Sequence, residues 1–370
     1  MTTDTVPATE TVQSTDTVQA TETVQATDTV QSVQPARRIT ARTIQIGLGI
    51  IWMADGLFQL QPKMFGTAFA NGVIVPSAQG QPAIISSVIT HTAHLMAAQP
   101  VPTDLVFAGI QLLVGAGLLI RETVKPALVL SFVWALGVWS LGEGFGGLFN
   151  GTAMPLTGAP GAALLYLAIG LLVWPRRVPR DAHGPAAAEG PLGEGGGIAL
   201  WALVWCGFGL LWLLPASSNS GALSAALKSA AAGEPGWLSH LQLSVAHSLG
   251  NGGGSVAIVA AFLSFFIGVG PVLFRHYGIF LIAGVAMALD FWVLGQAFGQ
   301  IFTGMATDPN TGPLLVLLAL AVYRAGVPAE APAEEQAPEP AKAFVRKSVE
   351  SPRMAPHLGL KRRPGTVPSE

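Results

Sequence analysis

Eight long apolar segments constrain this chain more than any other feature of its sequence. They lie at about 43–61, 104–120, 125–142, 159–175, 197–215, 255–271, 276–298 and 312–324. A helix needs about 20 apolar residues to cross a bilayer. The chain is 51% hydrophobic and only 11% charged, with a mean hydropathy of +0.52, whereas soluble proteins carry about 25% charged residues. We therefore predict an all-α integral membrane protein with about eight transmembrane helices, and we exclude an ordinary soluble enzyme.

The basic residues predict the orientation of these helices, because Lys and Arg accumulate in short cytoplasmic loops. Lys63 and Lys228 fall on one side of the predicted topology. Ten basic residues fall on the other: Arg37, Arg38, Arg42, Arg121, Lys125, Arg176, Arg177, Arg180, Arg275 and Arg324. We therefore expect a plasma-membrane protein with both termini in the cytoplasm. Segments 62–103 and 216–254 are expected to face outward. The net charge of −2 gives no indication of a nucleic-acid partner.

Three stretches outside the apolar segments are predicted to be polar arms or linkers. Residues 1–40 contain hexapeptide repeats rich in Thr and Val, residues 177–196 connect two apolar blocks, and residues 325–370 are rich in Pro, Ala and Glu and then in basic residues. The compositions of the N-terminal arm and the C-terminal tail cannot bury a core. We expect a disordered cytoplasmic arm, a cytoplasmic linker and a disordered cytoplasmic tail.

The apolar part contains an internal repeat with an offset of 153 residues. The segment Trp139–Gly151 aligns with Trp292–Gly304 without a gap, and Trp52 aligns with Trp205. Four predicted helices in each unit make the two units parallel in the membrane. We therefore predict two four-helix repeats, at 41–176 and 197–324, related by an axis along the membrane normal.

Each repeat resembles the DoxX-like family of four-helix membrane proteins. The resemblance rests on Arg42 before Gly47, on the pattern Trp52-x-x-Asp55-Gly56-x-x-Gln59-x-Gln61-Pro62, and on Leu112–Gly117 followed by Arg121 and Pro126-Ala127. It implies a four-helix fold and an association with redox processes at the membrane, including quinone-linked sulfur oxidation. The tandem form departs from the usual single unit of the family.

Polar residues inside the apolar segments are candidate cofactor-binding residues, because ionisable groups in a membrane are costly and often functional. Trp52, Asp55 and Gln59 follow an i, i+3, i+7 spacing and share one helix face. The candidates for cofactor binding are Asp55, Glu143, Asp290 and Gln296, all expected toward the outer side. The alternative is that the carboxylates only hydrogen-bond neighbouring helices.

The outer segments carry four histidines that are candidate metal ligands: His91, His94, His240 and His247. Both segments can form amphipathic helices, with an apolar stripe in the first at Ile84, Ile85, Val88, Ile89, Leu95 and Met96. Imidazole groups ligate copper, zinc and haem iron. The repeat pairs His94 with His247, so these residues are expected near each other. The alternative is that all four histidines hydrogen-bond headgroups or loop carbonyls.

Three functional hypotheses follow from these residues. The first is a membrane component that handles electrons, a metal or a cofactor (copper, zinc, haem or quinone) at an outward-facing site of histidines and carboxylates. Such a component would work with redox partner proteins. It is not expected to be an enzyme on its own. The second is a transporter or permease for a small solute or for protons. The third is a non-catalytic membrane scaffold. The bilayer is the one partner that all three share, and a homo-oligomer is compatible with each.

Overall fold

A computed structural model describes residues 38–176 and 184–324. The predictions for most of the N-terminal arm, for 177–183 and for the C-terminal tail fall outside these residues, as do Arg37, Arg177 and Arg180. The described part is helical, without a strand among the residues it covers. This confirms the all-α prediction at the level of secondary structure.

Eleven helices of nine or more residues form the framework of the described part. They are α1 (Ala41–Gln59), α2 (Ala83–Ala98), α3 (Pro100–Leu119), α4 (Val124–Gly137), α5 (Ala162–Leu172), α6 (Gly193–Leu213), α7 (Ala222–Ala230), α8 (Gly236–Leu249), α9 (Gly253–Leu273), α10 (Gly278–Asp290) and α11 (Thr311–Val322). Short π-helical turns, Val138–Gly142 and Phe291–Gly295, extend α4 and α10. The remaining turns are Ala70–Ile74, Val75–Ser77, Arg121–Thr123, Gly144–Gly147, Pro155–Thr157, Ala186–Glu189, Pro215–Ser218 and Ala297–Gly299.

Five helical segments of the described chain are long and apolar enough to cross a membrane: Pro100–Leu119, Arg121–Gly142, Gly193–Leu213, Gly253–Leu273 and Gly278–Gly295. The first predicted span forms α1, which has 19 residues but carries Arg42, Gln45 and Asp55 and is not among the five. Helices α5 and α11 have 11 and 12 residues. At 1.5 Å per residue each is about 17 Å long, roughly half of the hydrocarbon thickness.

The helices pack as two groups that meet along α11. In the first group α1 lies along α3, and α4 packs against α3 and α5; in the second, α6 lies along α9, and α10 packs against α9 and α11. Helix α11 contacts α1, α5 and α6. Helix α11 therefore brings residues of the second group close to the first.

Glycines permit the close approach of α1 and α3. A Cβ at Gly115 would lie 2.8 Å from the backbone nitrogen of Met53 and 2.9 Å from the backbone oxygen of Gly49. Small residues at helix contacts are typical of membrane bundles, where backbone proximity replaces the hydrophobic effect as the source of packing energy. At the other end of this pair, Arg42 donates to the carbonyl oxygens of Leu118 (2.8 Å) and Leu119 (2.6 Å), and so satisfies the last turn of α3.

The outer segments form helices, as the sequence predicts, but the apolar stripe of α2 is only partly buried. Ile89 is fully buried and Met96 is 8% exposed, whereas Ile84 is 81% exposed. Ala93, on the same face as Ile89, is buried in place of Ile84. The packed face is therefore centred further along the helix than the sequence pattern indicates.

Candidate functional site

A cavity of about 700 Å³ lies among α1, α2, α3, α4 and α5, and the loop before α11 also lines it. Apolar side chains form much of its wall, including Phe69, Ile74, Val138 and Met154. Three carboxyl groups line it, from Asp55, Glu143 and Asp308. A mostly apolar cavity with a few converging polar groups is the usual form of a small-molecule site.

Asp55 and Tyr166 form the innermost polar pair of the cavity. The Tyr166 hydroxyl donates to Asp55 Oδ2 at 2.5 Å, and Asp55 is only 1% exposed. The indole ring of Trp52, one helical turn before Asp55, lies 4.3 Å from the Tyr166 ring, measured between centroids. The other carboxyl oxygen, Asp55 Oδ1, has no hydrogen-bond partner among the described residues.

Glu143 joins the end of α4 to the start of α5. Its Oε1 accepts the backbone N–H of Ala163 at 3.1 Å, which caps the first turn of α5. Gly161, at φ +116°, passes so close to the Glu143 carboxyl that a Cβ there would collide with Oε2. Burial raises the pKa of Glu143 from 4.5 to about 8, and repulsion from Asp308 adds to the rise. Glu143 therefore stays protonated to higher pH than an ordinary glutamate.

Asp308 reaches the cavity from the second half of the chain. Its Oδ1 accepts the backbone N–H of Asn310 at 2.7 Å and its Oδ2 accepts the Thr307 hydroxyl at 2.8 Å. Burial raises the pKa of Asp308, although these two hydrogen bonds oppose the rise. The carboxyl thus lies on the loop that lines the cavity, where its charge acts on Glu143.

Several buried polar atoms around the cavity lack partners within the part of the chain that the structure describes. Besides Asp55 Oδ1 and Glu143 Oε2, they are Gln59 Oε1, Gln111 Oε1, Trp52 Nε1 and Trp134 Nε1. Buried polar groups in native proteins are nearly always hydrogen-bonded to protein or water. Six orphan atoms around one cavity therefore indicate that a polar ligand or water occupies it.

The structure brings together only some of the residues predicted as cofactor ligands. Asp55 and Glu143 line the large cavity. Gln296 is 2% exposed and lines a neighbouring cavity of about 400 Å³, which shares Asp308 and Asn310 with the first. Asp290 is exposed on α10 and lines neither of the two cavities.

The four histidines lie on the outer helices, and none of them lines this cavity. His91 and His94 are exposed on α2, and His240 and His247 are exposed on α8. Across residues 38–176 and 184–324, no group of three or more His, Cys, Asp or Glu side chains has the arrangement of a metal site. Metal binding by these histidines stays a prediction.

Sequence reasoning missed Tyr166, Asp308 and Gln111. Tyr166 is one of three tyrosines in the chain and lies inside an apolar segment, which is a usable signal because a buried phenol needs a hydrogen-bond partner. Asp308 precedes Pro309 and Asn310, a turn signal at the start of an apolar segment.

Comparison with protein-family models, curated proteins and solved structures gave no match to this chain.

Proposed function

We propose that this protein is a multi-pass membrane carrier that binds a small solute in the large cavity and exchanges it against protons. The orphan polar atoms around the cavity carry this proposal, because they need a ligand that the apolar wall does not supply. We prefer the second of the sequence hypotheses over the first because three carboxyl groups, which can exchange protons, line the cavity. Its residues are Asp55, Glu143, Asp308 and Tyr166.

Proton exchange follows from the buried carboxyl groups. A group that titrates near the working pH can be protonated on one side of a membrane and ionised on the other, and Glu143 has a pKa of about 8. Asp308 repels it when both are ionised. Binding of a solute that favours the ionised form would release protons, and the reverse exchange would return them.

We also propose eight spans in two tandem repeats of DoxX-like type, in the plasma membrane with both termini cytoplasmic. Matched contacts support the repeats: Trp139 Nε1 donates to Pro160 O (2.8 Å) and Trp292 Nε1 donates to Pro309 O (2.7 Å). Glu143 accepts from the first turn of α5, and Gln296 Oε1 accepts from Gly312 N (3.2 Å) in the first turn of α11. Arg42 contacts the end of α3, next to Arg121, so these two basic residues lie at one end of the bundle. We propose that this end is cytoplasmic because Lys and Arg accumulate on that side.

The redox hypothesis remains a second candidate because of the two indole N–H groups. Trp52 Nε1 and Trp134 Nε1 face the cavity without partners among residues 38–176 and 184–324, and a quinone carbonyl could accept a hydrogen bond from either. When bound, a quinone would supply two-electron redox chemistry. Trp52, Tyr166 and Trp134 would then line the site of the quinone, and Asp55 would exchange protons with it.

Transport across reconstituted membranes tests the proposal. Proteoliposomes containing a trapped pH dye would receive 2-phenylethylammonium, 2-phenylethanol or phenylacetate, with protein-free liposomes as the baseline for passive permeation. We expect at least one of these solutes to move protons faster than the baseline, and Asp55→Asn to remove the excess rate. The matched control is Glu122→Gln, an exposed carboxylate remote from the cavity, which should keep it. Baseline rates for all three solutes would overturn the carrier function.

A further inference from the structure

We infer that the solute is an organic cation, a protonated amine on an apolar or aromatic body. This inference rests on the proposed function and names the chemical class of its solute. Three properties of the cavity point to it: its charge, its orphan acceptors and its aromatic walls.

The ionisable side chains that line the cavity are acidic and not basic. Asp55, Glu143 and Asp308 are its ionisable carboxyl groups, and within the described residues no Lys, Arg or His lines it. The acidic side chains come from both halves of the chain, and at least two of them are held by hydrogen bonds, Asp55 by Tyr166 and Asp308 by Thr307. Without a basic neighbour, an ionised carboxylate in this cavity can be neutralised by a proton or by a bound cation.

The orphan atoms are mainly acceptors. Asp55 Oδ1 and Glu143 Oε2 are buried carboxyl oxygens without partners in the described part of the chain. These two carry the argument in their ionised forms, because an ionised carboxyl group only accepts hydrogen bonds, whereas the amides of Gln59 and Gln111 can turn over to present their NH₂ groups. An ammonium group has three N–H donors and no acceptor. It therefore matches the oxygens that the protein leaves open.

The walls suit the rest of such a ligand. The rings of Trp52 and Tyr166 are tilted by 42° with 4.3 Å between their centroids, and Phe107 meets Trp134 edge-on at 4.9 Å. Aromatic faces attract ammonium groups through their quadrupole and contact apolar bodies by dispersion. A hydrated inorganic cation would leave this apolar and aromatic lining unused. The volume of about 700 Å³ accommodates a small organic molecule.

Binding to the purified wild-type protein tests the class of solute. Calorimetric titrations in detergent at one pH would compare 2-phenylethylammonium with 2-phenylethanol, which has nearly the same shape and no charge, and with phenylacetate, which has the opposite charge. We expect the ammonium compound to bind at least tenfold more tightly than the alcohol, which corresponds to about 1.4 kcal/mol. Phenylacetate should bind more weakly than both.

Variants then assign the effect to the cavity. Asp55→Asn keeps the size of the side chain, and it should weaken ammonium binding at least tenfold while changing alcohol binding less than twofold; Glu122→Gln should change neither. The comparison of the three probes needs no variant, so it decides the question even if Asp55→Asn fails to fold. Equal or tighter binding of the alcohol would assign the cavity to neutral hydrogen-bond donors such as a quinol. Tighter binding of phenylacetate would show that the cavity prefers an anion. Either result would overturn the inference that the solute is a cation. The carrier function falls separately, if no solute moves protons in the transport assay.

Discussion

Replacing Glu143 by Gln should make the protein more stable at alkaline pH and leave its stability unchanged at acidic pH. The folded state holds the pKa of Glu143 at about 8, against 4.5 for an ordinary glutamate. Below pH 4.5 the residue is protonated in both states and costs nothing. As the pH rises from 4.5 to 8, the unfolded chain ionises while the folded protein keeps its proton, so the free energy of unfolding falls. Above pH 8 the loss is complete.

The size of the effect follows from that difference in pKa. A rise of about 3.5 pH units at about 1.4 kcal/mol for each unit gives a ceiling of about 5 kcal/mol. Asp308 is responsible for part of the rise and itself titrates, so we expect about 3 kcal/mol. Glutamine resembles the protonated acid in shape, and Gln296 already accepts a hydrogen bond from the first turn of α11 in the same way. The variant should therefore fold normally.

Thermal unfolding in detergent between pH 5 and pH 9 measures this effect. A gain of about 3 kcal/mol corresponds to about 5 °C in Tm for a folded part of this size, at about 2.1 cal/mol/K of unfolding entropy for each residue. The Tm of Glu143→Gln should match that of the wild type at pH 5 and exceed it by several degrees at pH 9. Glu122→Gln, on the exposed Arg121–Thr123 turn, should show no such divergence. A Tm difference that stays constant over this pH range would refute the reasoning, because it would show that Glu143 is not held protonated.

Three further predictions concern neighbouring residues. Gln296→Glu should make the free energy of unfolding fall as the pH rises, since it places a carboxyl group at a position that is only 2% exposed. The same series of thermal unfolding measurements between pH 5 and pH 9 checks this. Tyr166→Phe should lower the free energy of unfolding by about 1–3 kcal/mol, because Asp55 would lose its donor, and denaturant unfolding at pH 7 checks this. Asp290→Asn should leave the binding of 2-phenylethylammonium within twofold of wild type, since Asp290 lines neither cavity. A larger change measured by calorimetry would show that Asp290 takes part in binding.

The shared face of three residues on α1 could be predicted from the sequence, because helical spacing is a local property. Trp52, Asp55 and Gln59 share one face by their i, i+3, i+7 spacing, and all three line the cavity. Glu143 was predicted at the same end of the molecule and also lines it. The remaining partners depend on packing between distant parts of the chain. Asp308 is 253 positions from Asp55 (308 minus 55), and no periodic pattern connects the two.

Helix lengths were harder to predict than helix positions. The apolar segment 159–175 contains only 11 helical residues, because Pro160 and Gly161 precede the helix and α5 ends at Leu172. Hydropathy counts apolar residues whether they are helical or not. The metal hypothesis had a similar weakness, since the repeat places His94 and His247 at equivalent positions but does not determine how far apart those positions lie. Both are exposed, on α2 and α8.

Proton release on solute binding tests the central claim most directly. Calorimetric titration of the wild-type protein with 2-phenylethylammonium at pH 7, in two buffers with different ionisation enthalpies, measures the number of protons exchanged. The proposed carrier releases protons into the buffer, because the bound cation favours the ionised carboxylates, and Glu143→Gln releases fewer. Binding with the same heat in both buffers would contradict the account, since the cavity would then hold its solute without exchanging protons.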